Sequence, residues 1–158
     1  MIRLAEAGDI PALCGLVNRA FAIERFLEGT RTDPERLAGM LGRGAVLLAE
    51  AGGLPVACIF AEVRAETGYV GMLAVEPGRQ TGTLGRRMMR AAEEHLRSAG
   101  CAAIEISVLS LRPELVGPYE RYGFRVVGRQ AMAPNRTMAV DAVCEEIVMR
   151  KGCEGLRG

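Results

Sequence analysis

The chain reads as a three-layer α/β protein built on one mixed sheet, and three observations carry that reading. Apolar runs of strand length come first and then alternate with helical patterns, the order that gives a sheet with helices on both faces. A strand, a glycine-bearing turn and a helix start follow one another within Leu73 to Gly85, L-A-V-E-P-G-R-Q-T-G-T-L-G. The 158 residues, 49% hydrophobic with mean hydropathy +0.14, suit one core and leave no room for a second, so residues 1–158 are expected to form a single domain.

Ile2 to Ala5 is a short first strand. Asp9 is placed as the N-cap of an amphipathic helix carrying Leu13, Leu16, Val17 and Phe21 on one face. Thr32-Asp33-Pro34-Glu35 starts a second helix, with proline in the first turn, that runs to about Gly42. Ala45 to Ala51, the turn Gly52-Gly53, and Leu54 to Val63 form a β-hairpin. Tyr69 to Val75 is a strand stopped by Pro77, and Leu84, Met88, Ala92 and Leu96, spaced by four, mark a long helix ending at Gly100. Ala103 to Leu109 alternates Ile104, Ile106 and Val108 on one face. Pro118 opens and Gly123 closes a short helix over Gly117 to Tyr122. Phe124 to Val127 and Ala142 to Met149 supply two last strands, with a loop over Ala131 to Ala139 between them. Repeats, low-complexity runs and linkers are absent from the sequence.

Bulk properties exclude several function classes. A net charge of +1 supplies no field to steer the protein to nucleic acid or to an anionic membrane, and 4% aromatic residues make a poor base-stacking platform. No apolar stretch approaches the roughly 18 residues of a membrane span, and M-I-R-L-A-E-A-G-D lacks the build of a secretion signal, so a cytoplasmic location is expected. Cys14, Cys58, Cys101, Cys144 and Cys153 are odd in number and lack C-x-x-C pairs, which reads as small apolar residues in a reducing compartment. No metal site is expected, and the sole histidine, His95, falls on the polar side of the long helix.

The chemistry is concentrated in the turn before that helix. A helix start offers backbone N–H groups without intrahelical acceptors and the positive end of the dipole, and glycine lets an anion approach closely. Arg79, Arg86 and Arg87 add charge beside it. The phosphate loop of nucleotide hydrolases needs Gly-Lys-Ser/Thr after four residues, and none occurs; Gly82 and Gly85 alone do not make a dinucleotide fingerprint.

What remains, Val-x-Pro followed by Arg79-Gln80, glycines and a long amphipathic helix, resembles the acetyl-CoA-binding motif of the GNAT superfamily of N-acetyltransferases. The resemblance covers most of the chain. Tyr119-Glu120-Arg121-Tyr122-Gly123-Phe124 has the family's tyrosine ahead of Gly-Phe, and Val108 to Phe124 is similar to a run found in one bacterial branch, as is Arg31-Thr32-Asp33 with the helix after it. Three positions depart from the pattern. Thr81 and Thr83 stand where the phosphate turn has glycines, and Ser110 replaces the common asparagine after the fifth strand.

The resemblance implies a mostly antiparallel GNAT-like sheet and acetyl-CoA as co-substrate. It places backbone groups of Leu73 to Val75, through Ala74, along the pantetheine arm, and the backbone of Gln80, Thr81, Gly82, Thr83, Leu84 and Gly85 around the pyrophosphate, with Arg79 and Ser110 as further cofactor contacts. It makes Tyr119 the general acid for the leaving thiolate, a role its reference pKa of about 10 suits. The partners implied are an acyl-CoA and an amine acceptor, attacked directly in a ternary complex, and relatives of this kind are often homodimers. Many relatives carry a glutamate before the turn, where this chain has Tyr69-Val70-Gly71-Met72, so no base is assigned; Glu24, Glu28, Asp33 and Glu62 are the nearby acids. Ala22 to Arg31 is expected to wall the acceptor site, its acids favouring a cationic amine. The rival reading is a non-catalytic acyl-CoA-binding or protein-interaction module, motivated by the two threonines and the missing glutamate.

Overall fold

The computed structural model describes residues 1–133 and 136–153. Strands β1 (Ile2–Leu4), β2 (Ala45–Ala51), β3 (Leu54–Arg64), β4 (Thr67–Val75), β5 (Ala103–Leu109), β6 (Arg125–Ala131) and β7 (Glu145–Gly152) form one seven-stranded sheet in the order β1-β2-β3-β4-β5-β7-β6. Every neighbouring pair is antiparallel except β4 and β5. Helices α1 (Ile10–Ala20), α2 (Pro34–Arg43), α3 (Thr83–Ser98) and α4 (Val116–Tyr122) complete the fold, which is the three-layer mixed-sheet architecture read from the sequence. No helix among the described residues is long and apolar enough to cross a membrane.

Two cores follow from the alternation of the central strands. Val46, Leu48, Cys58 and Phe60 meet Leu13, Leu16 and Val17 of α1 and Leu37 of α2, while Leu47, Ala49, Ala57 and Ile59 meet Met88, Met89, Ala92 and Leu96 of α3. Asp33 caps α2 by accepting from the Arg36 amide at 2.8 Å, as its sequence position predicts. Asp9 sits before α1 but does not cap it; its carboxylate takes a bidentate bond from Arg3 and the Glu6 amide instead.

Strand β4 positions the site through two irregularities. Its pairing with β5 is confined to Thr67–Tyr69 against Ala103–Glu105, after which the two strands part. Opposite Ile59 the register with β3 slips, because Cys58 pairs with Ala74 whereas Phe60 pairs with Gly71, so Met72 and Leu73 together face one residue. Met72 takes a left-handed φ of 52° in this bulge. The inserted residue reverses which parity faces which core: Val70 packs toward α3 before it, and Leu73 and Val75 do so after it, while Met72 and Ala74 pack toward α1. Beneath the bulge the Cys58 thiol lies 3.9 Å from the Met72 carbonyl, and burial pushes its pKa up to about 12, so it is an inert core residue.

Strand boundaries differ from expectation on the far side of the sheet. β6 continues to Ala131, and β7 starts and ends three residues later than expected, because its register is set by β5, with Ala103 opposite Gly152. Residues 132–139 are irregular where described, as expected; residues 134 and 135 of that loop and residues 154–158 of the expected domain lie outside the described residues.

Candidate active site

Where β4 and β5 part, a cleft of about 390 Å3 opens. Its walls are Tyr69 to Leu73 and Val75 from β4 and Ile106 to Leu109 from β5; Gly82 and Gly85 of the α3 start and Tyr119 of α4 close one end, and Glu24, Arg31, Arg112, Arg136 and Glu146 line the other. A second cavity of about 340 Å3 continues from Tyr119 along α3 and α4, past Leu73, Arg86, Met89 and Tyr122.

The backbone of β4 is directed by its pairing. Glu76 donates its amide to Val56 of β3 at 2.8 Å, so by alternation Leu73 and Val75 turn their peptide groups away from β3 and into the cleft. Ala74 lies between them with its backbone on the β3 side and its side chain in the α1 core. Gln80 reaches back from the turn and donates to the Val75 carbonyl at 3.0 Å, fixing the turn against the strand.

The turn itself presents an open donor array. Gly82 precedes α3 with φ of 89°, a conformation that glycine adopts without steric cost, and no side chain caps the helix start. The Arg86 amide makes the first bond back, to the Gly82 carbonyl at 3.2 Å, which leaves the amides of Thr83, Leu84 and Gly85 ahead of the intrahelical ladder. A Cβ built on Gly78, Gly82 or Gly85 meets nothing within 4 Å. Thr81 and Thr83 are exposed, and the residues lining the cleft include Gln80, Gly82 and Gly85 but neither threonine. The turn therefore has open space at its glycines, and neither threonine is part of the cleft lining. Arg79 is exposed on the turn, while Arg86, one turn into α3, lines the second cavity.

Tyr119 sits where the two cavities meet. It packs edge-on against Phe124, centroids 5.9 Å apart, and the Phe124 amide bonds its carbonyl at 3.0 Å across the Gly123 turn. Burial raises its pKa above the ordinary tyrosine value, with Arg112 opposing, so the phenol keeps its proton. Tyr122 turns away toward Glu93, which with Lys151 forms a buried ion pair at 2.7 Å. Ser110 ties the end of β5 to β7: its hydroxyl accepts from the Glu145 amide at 2.8 Å, and its amide donates to the Glu145 carbonyl at 2.8 Å.

The end of the cleft away from the α3 start is built by two segments that sequence reading treated separately. Leu27 bridges Met138, Glu28 donates to the Thr137 carbonyl at 2.8 Å, and Ala139 donates to the Phe26 carbonyl at 2.7 Å. This small antiparallel pairing sets Arg136 beside the Ala22 to Arg31 wall. Of the acids named from the sequence, Glu24 is buried in the cleft but held by Arg31 at 3.5 Å and Arg112 at 3.2 Å, so its charge is balanced rather than offered to a cation. Asp33 caps α2, Glu62 pairs with Arg64 and Arg43, and Glu28 is exposed. Glu146, which sequence reading missed, is the other carboxylate of the cleft; it accepts from Gln130 at 2.8 Å and from the Ala133 amide at 3.3 Å. Its contacts are all long-range or across the sheet, and no local pattern announces them.

A parted parallel strand pair, a bulged β4 and an open glycine-bearing helix start meet at one cleft, in a chain of the acyltransferase class. The chain belongs to the GNAT acetyltransferase family: the model of the acetyltransferase (GNAT) domain matches residues 18–136. The fold is similar to that of the ribosomal-protein-S18-alanine N-acetyltransferase from Escherichia coli, at TM-score 0.79 and 20% identity over 97% of this chain and 93% of that one. It is also similar to the ribosomal-protein-alanine N-acetyltransferase from Brucella melitensis, at TM-score 0.77 and 19% identity over 96% and 99% of the two chains. The yncA protein from Salmonella typhimurium, solved with its cofactor acetyl-CoA, matches at TM-score 0.74 and 18% identity over 98% and 94%. No curated protein matches the sequence.

Proposed function

We propose that this chain, as one domain, transfers an acetyl group from acetyl-CoA to an amine by direct attack in a ternary complex. The observation that carries the reading is the cleft: an unpaired β4 edge leads at one end to an uncapped helix start with a protonated tyrosine beside it, and at the other to a polar cavity.

The pantetheine arm is extended and amide-bearing, and it adds to the free edge of β4 as a strand would, bonding the outward peptide groups at Leu73 and Val75. Ala74 contributes by holding that edge in register. The pyrophosphate sits along the backbone from Gln80 to Gly85, at the amides of Thr83, Leu84 and Gly85 above all, since the Thr81 amide donates to the Arg79 carbonyl at 3.0 Å; Thr81 and Thr83 are close enough in sequence to offer hydroxyl donors from the rim. Arg86 and Arg79 supply charge, Arg86 from the cavity wall and Arg79 from the exposed side. Ser110 acts at one remove, fixing the β5 end of the cleft.

In the reaction the amine nitrogen bonds to the thioester carbon, the carbon–sulfur bond breaks, and the thiolate takes the Tyr119 proton. Neither carboxylate of the cleft is poised as a strong base: Glu24 is held by two arginines, and Glu146 already accepts two hydrogen bonds. The amine therefore enters neutral and gives up its proton to solvent after attack. The soluble, cytoplasmic setting expected from the sequence supplies acetyl-CoA, and a homodimer is compatible with the cleft.

The test is thiol release from acetyl-CoA across a panel of amines. Turnover above the buffer rate with at least one amine is expected; tight acetyl-CoA binding with no turnover would favour the non-catalytic binding module instead.

A further inference from the structure

The acceptor end of the cleft holds three guanidinium groups, Arg31, Arg112 and Arg136, against two carboxylates, Glu24 and Glu146. Both carboxylates are engaged: Glu24 by Arg31 and Arg112, Glu146 by Gln130 and the Ala133 amide. Arg112 also pairs with Glu114 at 3.1 Å, which leaves Arg136 as the guanidinium of this set without an ion pair among the described residues. Its Nη1 is buried and has no hydrogen-bond partner among the described residues. A buried donor left unmade is costly, and more so when charged.

Arg31 and Arg136 are held in place around this vacancy of acceptors. Arg31 lies over the Phe21 ring at 4.2 Å, and its neighbour Thr32 is clamped to Asn18 in both directions, at 2.9 Å and 3.1 Å. Arg136 is carried by the pairing of residues 26–28 with 137–139 and by its amide bond to the Ala133 carbonyl at 3.1 Å. Burial first, and repulsion from Arg136 second, bring the Arg31 pKa down to about 10. Both residues also line two adjoining cavities, of about 370 and 290 Å3, and so stand at their junction with the cleft.

We propose that the acceptor is a small amine bearing a carboxylate, of the amino-acid class, and that Arg136, assisted by Arg31, is its carboxylate-binding subsite. The proposal rests on the transferase reading and deepens it. A carboxylate supplies the negative charge that Arg136 lacks as a partner and the planar pair of acceptors that a guanidinium fork fits. An amide would leave the Arg136 charge unmatched. Because the subsite lies in the same cleft as Tyr119, the acceptor must be compact.

The experiment titrates the protein, with and without CoA, with the standard amino acids, their carboxamides and short peptides beginning with alanine. Thiol-release turnover is measured in parallel, for wild type, Arg136→Met and Arg136→Lys. At least one amino acid is expected to bind, with its carboxamide about tenfold weaker or worse, the loss of one charge-assisted contact. Arg136→Met is expected to bring that ratio close to one, and Arg136→Lys to restore part of it, which separates loss of the contact from loss of the fold. Equal binding of carboxamides or peptides by wild type, no amino-acid binding at all, or a ratio unchanged in Arg136→Met would each overturn the subsite. Selective amino-acid binding without turnover would sustain the subsite and sink the transferase reading, whereas turnover of peptides alone would do the reverse.

Discussion

Replacing Tyr119 with phenylalanine removes one oxygen from the point where the two cavities meet and leaves the packing around it in place. The ring keeps its edge contact with Phe124 at 5.9 Å and the backbone bond from the Phe124 amide, so melting temperature and acetyl-CoA affinity are expected to stay near wild type. Chemistry is expected to slow. A thiol of reference pKa about 8.5 leaves as an unprotonated thiolate at a penalty of roughly 2 kcal/mol at pH 7, or about 30-fold, and the usual range for a positioned acid is about 100- to 10,000-fold. The sign of the pH effect follows. Burial holds the Tyr119 proton on above the ordinary tyrosine range, so wild type keeps its acid as pH rises, while the penalty on the variant shrinks and is nearly gone by about pH 9. Single-turnover thiol release at a series of pH values measures the wild-type-to-variant ratio directly. A ratio within twofold at neutral pH, or one that widens as pH rises, would refute the role of the phenol.

Other perturbations test the cofactor site and the scaffold separately. Arg86→Ala is expected to weaken acetyl-CoA binding by about 1.5 to 3 kcal/mol by calorimetry, and Arg79→Ala by less than about 1 kcal/mol, because both side chains are exposed but Arg86 lines the second cavity and Arg79 lines neither cavity of the site; the reverse order would relocate the phosphates. Ala65, exposed in the β3–β4 turn, has φ of 56°, so Ala65→Gly is expected to raise stability by about 0.5 to 1 kcal/mol once glycine's greater unfolded-state freedom is subtracted, and a lower melting temperature would contradict this. Lys151→Met removes the ammonium 2.7 Å from the buried Glu93 carboxylate and is expected to destabilise by about 3 kcal/mol or more in denaturant unfolding, with Glu93→Gln in the same chain recovering part of the loss.

The parts of the fold legible in the sequence are those with local causes. The spacing of Leu84, Met88, Ala92 and Leu96 gave α3, the Gly52-Gly53 turn gave the β2–β3 hairpin, and Asp33-Pro34 gave the start of α2. The bulge at Met72 was hidden because Val70-Gly71-Met72-Leu73-Ala74-Val75 is apolar throughout, so a change of parity leaves no mark on the pattern. β6 was read short because all seven of its residues are exposed and carry no alternation. The candidate site divides in the same way. The turn from Gln80 to Gly85 is contiguous and could be read; the balance of charge around Glu24 depends on Arg112, 88 residues away, and could not. Placing Arg136 beside Arg31 depends on a bridge between Leu27 and Met138, which belongs to the folded chain alone.

Calorimetric titration of the purified protein with acetyl-CoA, against free CoA and ATP, tests the central claim most directly. Micromolar binding of both CoA compounds and much weaker binding of ATP are expected, because the proposed mode sets the pantetheine arm, which ATP lacks, along the β4 edge. No binding, or equal binding of ATP, would contradict that claim.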